Sequence, residues 1–315
     1  MEKTVQTTAP RSAAPPEASA AEVFLEVGDG WHSQASERFP NALTCDVEDY
    51  FQVSAFEHLV SKESWSSRQC RIERNVDRIL AIYDEQAVKG TFFTLSWVAE
   101  NYPDVVKRIS EAGHEIASHG IRHERIFSMS EAQFREEVSK SKRILEDVSG
   151  QTVTGFRAAS WSFDARTPWA HRVLAECGYR YSSSIYPIAH DHYGVPDAPA
   201  TPFFVGETGI LEIPATVVNA WGRNWPAAGG GYFRLYPYSL SRYLFDRARS
   251  GTGMPSVFYY HPWELDAEQP RMSGIPMKTR VRHYLNLAKF EARLVRMLKD
   301  FDWDRMDNIY LRPDI

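Results

Sequence analysis

From Ala42 onward, short apolar runs alternate with longer segments in which apolar residues recur every three or four positions. The runs suit strands and the periodic segments suit amphipathic helices, so the chain reads as repeated β/α units around a parallel sheet. Ile72, Val76, Ile79, Leu80 and Tyr83 fall on one helical face, and 90–95 then reads as a buried strand. Pro103 opens a helix that Gly113 closes, since proline suits a first helical turn and glycine the residue that ends one. A strand over 114–118 follows. Ser130 and Gln133 have the spacing of a capping box, which opens a helix with Phe134, Val138, Ser141 and Leu145 inward and Gly150 at its end. Further strands are predicted over 152–156, 179–183, 209–213 and 256–260. Further helices are predicted from Thr167 to Gly178, over 239–249 and over 282–299. Residues 1–38, rich in Ala, Pro, Ser and Thr with no period, read as a disordered leader. The rest, 39–315, reads as one domain with a helical extension over about 266–315.

Polar residues interrupt this pattern at telling places. Asp46, His119, Arg157 and His261 each fall at or just after the end of a predicted strand. In a parallel barrel that edge is where sites are built.

Composition narrows the reading. A hydrophobic share of 43% supports a large core, and a net charge of −5 without a basic stripe argues against nucleic acid as a partner. No run reaches the roughly 18 apolar residues of a transmembrane segment. The start of the chain lacks a basic stretch followed by an apolar one, so a cytoplasmic location is expected. Cys45, Cys70 and Cys177 have no paired spacing, and no disulfide framework is expected.

The chemistry lies in two clusters. His119 and His123 stand four apart, a spacing that turns two imidazoles toward one metal on a helical turn. Asp46, Glu48 and Asp49 crowd one short stretch after an apolar run, supplying a third ligand and a separate base. Two histidines and one carboxylate leave positions on a metal open for water and substrate, as hydrolysis requires.

Taken in order, these residues resemble the polysaccharide deacetylases of carbohydrate esterase family 4. The stretches DVEDYFQVSAF (46–56), GGGYFRLYP (229–237), YYHPWELD (259–266) and RHYLNL (282–287) are similar to a subgroup associated with exosortase and exopolysaccharide gene clusters. The resemblance implies a distorted (β/α) barrel of about seven parallel strands forming a single catalytic domain. It implies Asp46 as catalytic base, Arg157 against it, and His261 as general acid. His119 and His123 match the metal ligands, with Gly120 in place of the family's hydroxyl residue. Val47 replaces the usual ligand Asp, so the carboxylate ligand is Glu48, on the same side of an extended strand as Asp46, with Asp49 as the alternative. Zinc suits this set, and cobalt or nickel fit as well.

Two departures stand out. Ala159 replaces a family proline, and no carboxylate lies near Ser182, where the family keeps the partner of its acid histidine. Either Asp164 substitutes or His261 lacks a charged partner, which would lower its pKa and weaken protonation of the leaving group. Tyr50, Phe51, Trp161, Trp263 and Tyr232 adjoin the motifs as candidate sugar contacts, and the segment 188–203 as a lid or substrate wall. The implied function is metal-dependent removal of N-acetyl groups from an exopolysaccharide or its precursor. The implied partners are an N-acetylated polysaccharide or oligosaccharide and the exopolysaccharide assembly machinery, at the inner membrane face if the substrate is lipid-linked. The alternatives are a hydrolase of small amides on the same barrel, and a non-catalytic glycan-binding component.

Overall fold

The computed structural model describes residues 27–30, 39–191 and 193–312. Its strands follow the apolar runs. In chain order they begin with Val27–Gly30 (β1), Asn41–Val47 (β2), Thr91–Thr94 (β3), Glu115–Ser118 (β4), Gly155–Phe156 (β5) and Tyr181–Ser182 (β6). Phe203–Val205 (β7), Leu211–Glu212 (β8), Val217–Ala220 (β9), Arg223–Pro226 (β10), Val257–Tyr260 (β11) and Trp303–Asp304 (β12) follow. Seven lie side by side and parallel in the order β8-β6-β5-β4-β3-β2-β11. Among the described residues no strand pair joins β8 to β11. Val257 N donates instead to Thr216 Oγ1 at 2.7 Å, which makes this the distorted barrel expected. Of the segment 1–38, all but 27–30 lies outside the described residues. Val27–Gly30 pairs antiparallel with β7.

Alternation along the strands explains which residues reach the barrel interior. On β2, Ala42 belongs to the inner cluster with Phe93, Ala117, Tyr181 and Leu211, whereas Leu43, Cys45 and Val47 pack outward with the helices. A period of two then places Thr44 and Asp46 inside. Both wall faces are apolar, so the run reads as continuous in sequence although its residues part to two clusters.

The helices are Ile72–Glu85 (α1), Ser96–Asn101 (α2), Pro103–Glu111 (α3), Glu131–Ser149 (α4), Ala170–Glu176 (α5) and Gly230–Leu235 (α6). Tyr238–Thr252 (α7), Met277–Tyr284 (α8), Leu287–Asp300 (α9) and Met306–Tyr310 (α10) complete them. Helix α4 opens with both hydrogen bonds of the predicted capping box and ends on Gly150 at φ 69°. Such a cap contributes about 1 kcal/mol. The last segment returns to the barrel: β12 pairs with β2, and Met306, Ile309 and Tyr310 of α10 pack into the inner cluster.

One expected helix is two. The pattern over 282–299 predicts one continuous helix, but Asn286 at φ 55° separates α8 from α9. The buried Arg234 guanidinium donates to the carbonyls of Arg282, His283 and Leu285 at 2.9–3.1 Å, and Asn286 Nδ2 donates back to Arg234 O at 2.8 Å. Carbonyls that a continuous helix would have bonded internally are satisfied by a side chain, so the helix stops there.

Candidate active site

Register brings the site together. Tyr260 on β11 pairs with Cys45, Thr94 on β3 with Ser118, Ser118 with Phe156, and Phe156 with Ser182. The next residue along each of β2, β4, β5 and β11 is Asp46, His119, Arg157 or His261. All four therefore stand on one rim.

Arg157 is fully buried, and every face of its guanidinium is used. Nη1 donates to Asp46 Oδ1 at 2.5 Å and Thr44 Oγ1 at 2.9 Å, Nε to Ser183 O and Nη2 to Ser183 Oγ, and the plane lies 4.0 Å from the Phe93 ring centre. Its charge keeps the Asp46 carboxylate paired and oriented. The second carboxylate oxygen, Oδ2, faces His261 Nε2 at 4.0 Å.

Glu48, His119 and His123 form a group whose donor atoms all lie within 4.8 Å of one another. His119 Nδ1 meets Arg157 O at 2.8 Å, and His123 Nδ1 meets Ser54 Oγ at 3.4 Å. With Nδ1 of each ring engaged, Nε2 is left to serve a metal. Burial, helped by His123, pulls the His119 pKa down to about 4, which keeps it neutral as a ligand must be. Glu48 Oε2 is buried without a hydrogen bond. Burial alone would raise the Glu48 pKa, yet His123, His261 and His119 together lower it to about 2. Two imidazoles with their Nδ1 atoms occupied and an ionised carboxylate oxygen fit a divalent cation. Asp49 lies apart from this group. It accepts from the backbone N–H groups of Tyr50 and Arg71 and so pins the chain after β2.

Gly120 sits at φ 79°, where a residue with a Cβ is strained. A Cβ there would also stand 3.2 Å from Glu137 Oε1, which accepts from Ile121 N at 2.6 Å. The loop carrying both histidines is therefore tied to α4 at a position that favours glycine. At the Ala159 departure the chain turns sharply, with Ser160 and Trp161 both at positive φ, and Ser160 Oγ meets Ser54 Oγ at 2.5 Å.

His261 has a carboxylate partner after all, from a residue sequence reasoning passed over. Its Nδ1 meets Glu264 Oε1 at 2.8 Å, and Nε2 faces Glu48 Oε1 at 3.5 Å. Burial would lower the His261 pKa, but the Glu264 hydrogen bond and the charges of Glu48, Glu264 and Asp46 raise it to about 9. Asp164 does not substitute, since it pairs with Arg166 on the surface. The signal for Glu264 was local: a histidine, a proline and a carboxylate three residues on make the capping pattern of a short turn.

An open cleft of about 640 Å³ runs over this rim, lined among others by Asp46, Glu48, His119, His123 and His261. Trp161, Trp263 and Tyr232 line it too, as do His190 and Tyr193 of the segment read as a lid or wall. Tyr50 and Phe51 do not. Both are buried in the outer core, where Phe51 meets Trp65 and Trp97 edge-on, so they are packing residues rather than sugar platforms. Gly229 and Gly230 also serve packing. A Cβ would stand 2.6 Å from the Tyr259 ring at Gly229 and 2.0 Å from Glu264 Oε1 at Gly230.

Residues 66–182 match the family model for polysaccharide deacetylases, and 183–311 match a domain of unknown function, DUF3473. Residues 66–182 thus carry a polysaccharide deacetylase domain. The second match is consistent with the exopolysaccharide-associated subgroup. Among curated relatives, a peptidoglycan deacetylase of Helicobacter pylori is 28% identical over 113 residues, 36% of this chain and 38% of its own length. A peptidoglycan-N-acetylglucosamine deacetylase of Bacillus cereus is 36% identical over 73 residues, 23% of this chain and 26% of its own length. The chain thus spans well under half of these curated relatives. A Mycobacterium smegmatis protein whose crystal structure is described as a polysaccharide deacetylase shares the fold, with a TM-score of 0.57 and 22% identity over 89% of this chain and 94% of that one. Asp46 and Glu48 precede both matched segments, whereas His261 lies in the second. No helix among the described residues is long and apolar enough to cross a membrane.

Proposed function

We propose that this protein hydrolyses N-acetyl groups on sugar residues of a polysaccharide, an exopolysaccharide or its precursor. The observation that carries the proposal is the convergence of Asp46, the Glu48–His119–His123 group and His261 on the floor of one open cleft. An amide needs three things to be cleaved by water: a proton acceptor for the water, charge stabilisation at the carbonyl, and a proton for the departing nitrogen. Asp46, paired with and oriented by Arg157, accepts the proton. His261, at the same end of the neighbouring strand β11, faces the same centre and donates one to the amine. Glu48, His119 and His123 hold a divalent ion, zinc by preference with cobalt or nickel as substitutes, which when bound acidifies water and polarises a carbonyl. The aromatic walls and the openness of the cleft suit a glycan segment better than a small enclosed amide.

The test is acetate release from N-acetylglucosamine oligomers, with metal content measured on the same sample and on Asp46→Asn. Metal-dependent release that falls by about 10²-fold or more in the variant, with metal retained, supports the proposal. Bound metal without acetate release from any N-acetylated glycan overturns the substrate class. Full activity in Asp46→Asn removes Asp46 as the base.

A further inference from the structure

We infer that Glu264 and Arg234, both from the DUF3473 segment, are the positioning residues of the proton donor His261. The inference rests on the deacetylase reading above. It replaces a function that the first segment does not supply, because the end of β6 is given over to Arg157. Ser183 takes two of the guanidinium's bonds there, and Ser182 Oγ meets Ser184 Oγ at 2.8 Å.

Four observations converge on Glu264. Its side chain is fully buried, and Oε1 meets His261 Nδ1 at 2.8 Å while also lying 3.2 Å from His261 N. Its other oxygen, Oε2, takes Arg234 Nε at 2.6 Å. Gly230 passes so close that a Cβ would overlap Glu264 Oε1. Trp263 stacks on the His261 ring at 5.2 Å and 17°, and His283 stacks on Trp263 at 4.2 Å and 12°, so the imidazole is held in plane as well as at one nitrogen.

An acid histidine needs one nitrogen to carry the proton and the other to be fixed. Glu264 fixes Nδ1–H, which leaves Nε2–H pointing into the cleft. As the amide C–N bond breaks, the Nε2 proton goes to the departing nitrogen. The carbonyl carbon keeps the oxygen of the water whose proton Asp46 took, so the products are acetic acid, which ionises to acetate, and a free amine, and the imidazole is left neutral with Nδ1–H still on Glu264. Arg234 serves Glu264 as Arg157 serves Asp46, compensating a buried carboxylate that would otherwise be costly. Its remaining donors lie on the carbonyls of Arg282, His283 and Leu285. The donor is thereby fastened to α8, a helix that itself walls the cleft through Thr279, Val281 and Arg282.

The test compares two substrates that differ in their need for a proton. An N-acetylated sugar loses a poor leaving group, whereas 4-nitrophenyl acetate loses one that departs unprotonated. In the zinc-loaded protein, Glu264→Gln is expected to lower kcat for N-acetylglucosamine oligomers by about 10²-fold, with KM within about twofold and aryl ester hydrolysis within about threefold. Gly230→Ala, which crowds the carboxylate without touching substrate, is expected to show the same amide-selective loss. Equal losses on both substrates overturn the inference in favour of a merely structural role. Should the variants fail to fold, proton NMR of the ¹⁵N-histidine-labelled wild-type protein decides. A slowly exchanging, far-downfield Nδ1–H assigned to His261 supports the pairing, and its absence overturns it. A wild-type protein that releases no acetate sinks the deacetylase reading, and the NMR result then still decides whether Glu264 holds His261.

Discussion

Glu48 Oε2 lies 3.0 Å from His123 Nε2, yet that oxygen accepts no hydrogen bond. A buried carboxylate oxygen left without a donor costs a protein roughly 1–3 kcal/mol or more, and such atoms are rare unless a ligand serves them. The pair is positioned as two ligands of one ion are, with His119 as the third. Glu48→Ala and His119→Ala should each lose most of the bound divalent metal, whereas Asp49→Asn should keep it and lose stability instead, because Asp49 holds backbone N–H groups. Metal analysis after dialysis, paired with thermal denaturation, separates the outcomes. Loss of metal in Asp49→Asn alone would reverse the ligand assignment.

The aromatic residues near the site divide in the same testable way. Phe51 is fully buried against Trp65 and Trp97, and Phe51→Ala should cost about 3–5 kcal/mol in chemical denaturation with little change in KM for the folded fraction. Tyr232 is half-buried on the cleft wall. Tyr232→Ala should raise KM for longer oligomers several-fold, by about the worth of one ring contact, and leave stability within about 1 kcal/mol. A destabilised Tyr232→Ala with unchanged KM would place that ring among the packing residues.

Which parts of this were legible in the sequence follows from how local each signal is. The α4 boundaries and its inward face follow from one capping box, one glycine and a 3.6-residue period, all contained in the segment itself. The rim position of Asp46, His119, Arg157 and His261 was legible for the same reason, as each ends an apolar run. The division between α8 and α9 was not, because the group that ends α8 is Arg234, about fifty residues earlier. Tyr50 and Phe51 misled because adjacency to a motif in sequence says nothing about which side of the chain turns toward the core. Glu264 was overlooked for a different reason. The resemblance points to the end of β6 for this carboxylate, whereas Glu264 reaches His261 from three residues along the same short turn.

His114 offers a prediction about pH. It is buried at the start of β4, and its Nδ1 accepts from Gly90 N at 3.3 Å, a bond only the neutral ring makes. Burial first, then Lys89 and Arg305, lowers its pKa to about 4 from the ordinary 6.5. The unfolded chain therefore binds this proton at a higher pH than the folded one does. The stability His114 confers is complete above about pH 6.5 and is lost as pH falls toward 4, on the order of 3 kcal/mol. His114→Asn, whose Oδ1 can accept from Gly90 N, should flatten the urea midpoint against pH across that window. An unchanged slope would assign the acid sensitivity to other groups.

The glycine between the two candidate ligands should be hard to replace, and the reason separates backbone strain from side-chain chemistry. Gly120 holds φ 79°, and its Cβ would press on Glu137 Oε1, the same oxygen that fixes Ile121 N. Gly120→Ala should cost about 1–2 kcal/mol from the conformation alone, and more if the carboxylate cannot move aside. Glu137→Gln keeps an acceptor for Ile121 N, so it should leave the loop in place. Glu137→Ala removes the tie without adding strain at residue 120, and the histidine loop should loosen. Zinc affinity is therefore expected to fall in Gly120→Ala and Glu137→Ala but to stay near wild type in Glu137→Gln, as read by competition with a chelator. If Gly120→Ala lost stability while keeping wild-type affinity, the loop would be adapting around the metal rather than presenting a preformed site. Equal affinity in all three variants would remove α4 from the positioning of His119 and His123 altogether.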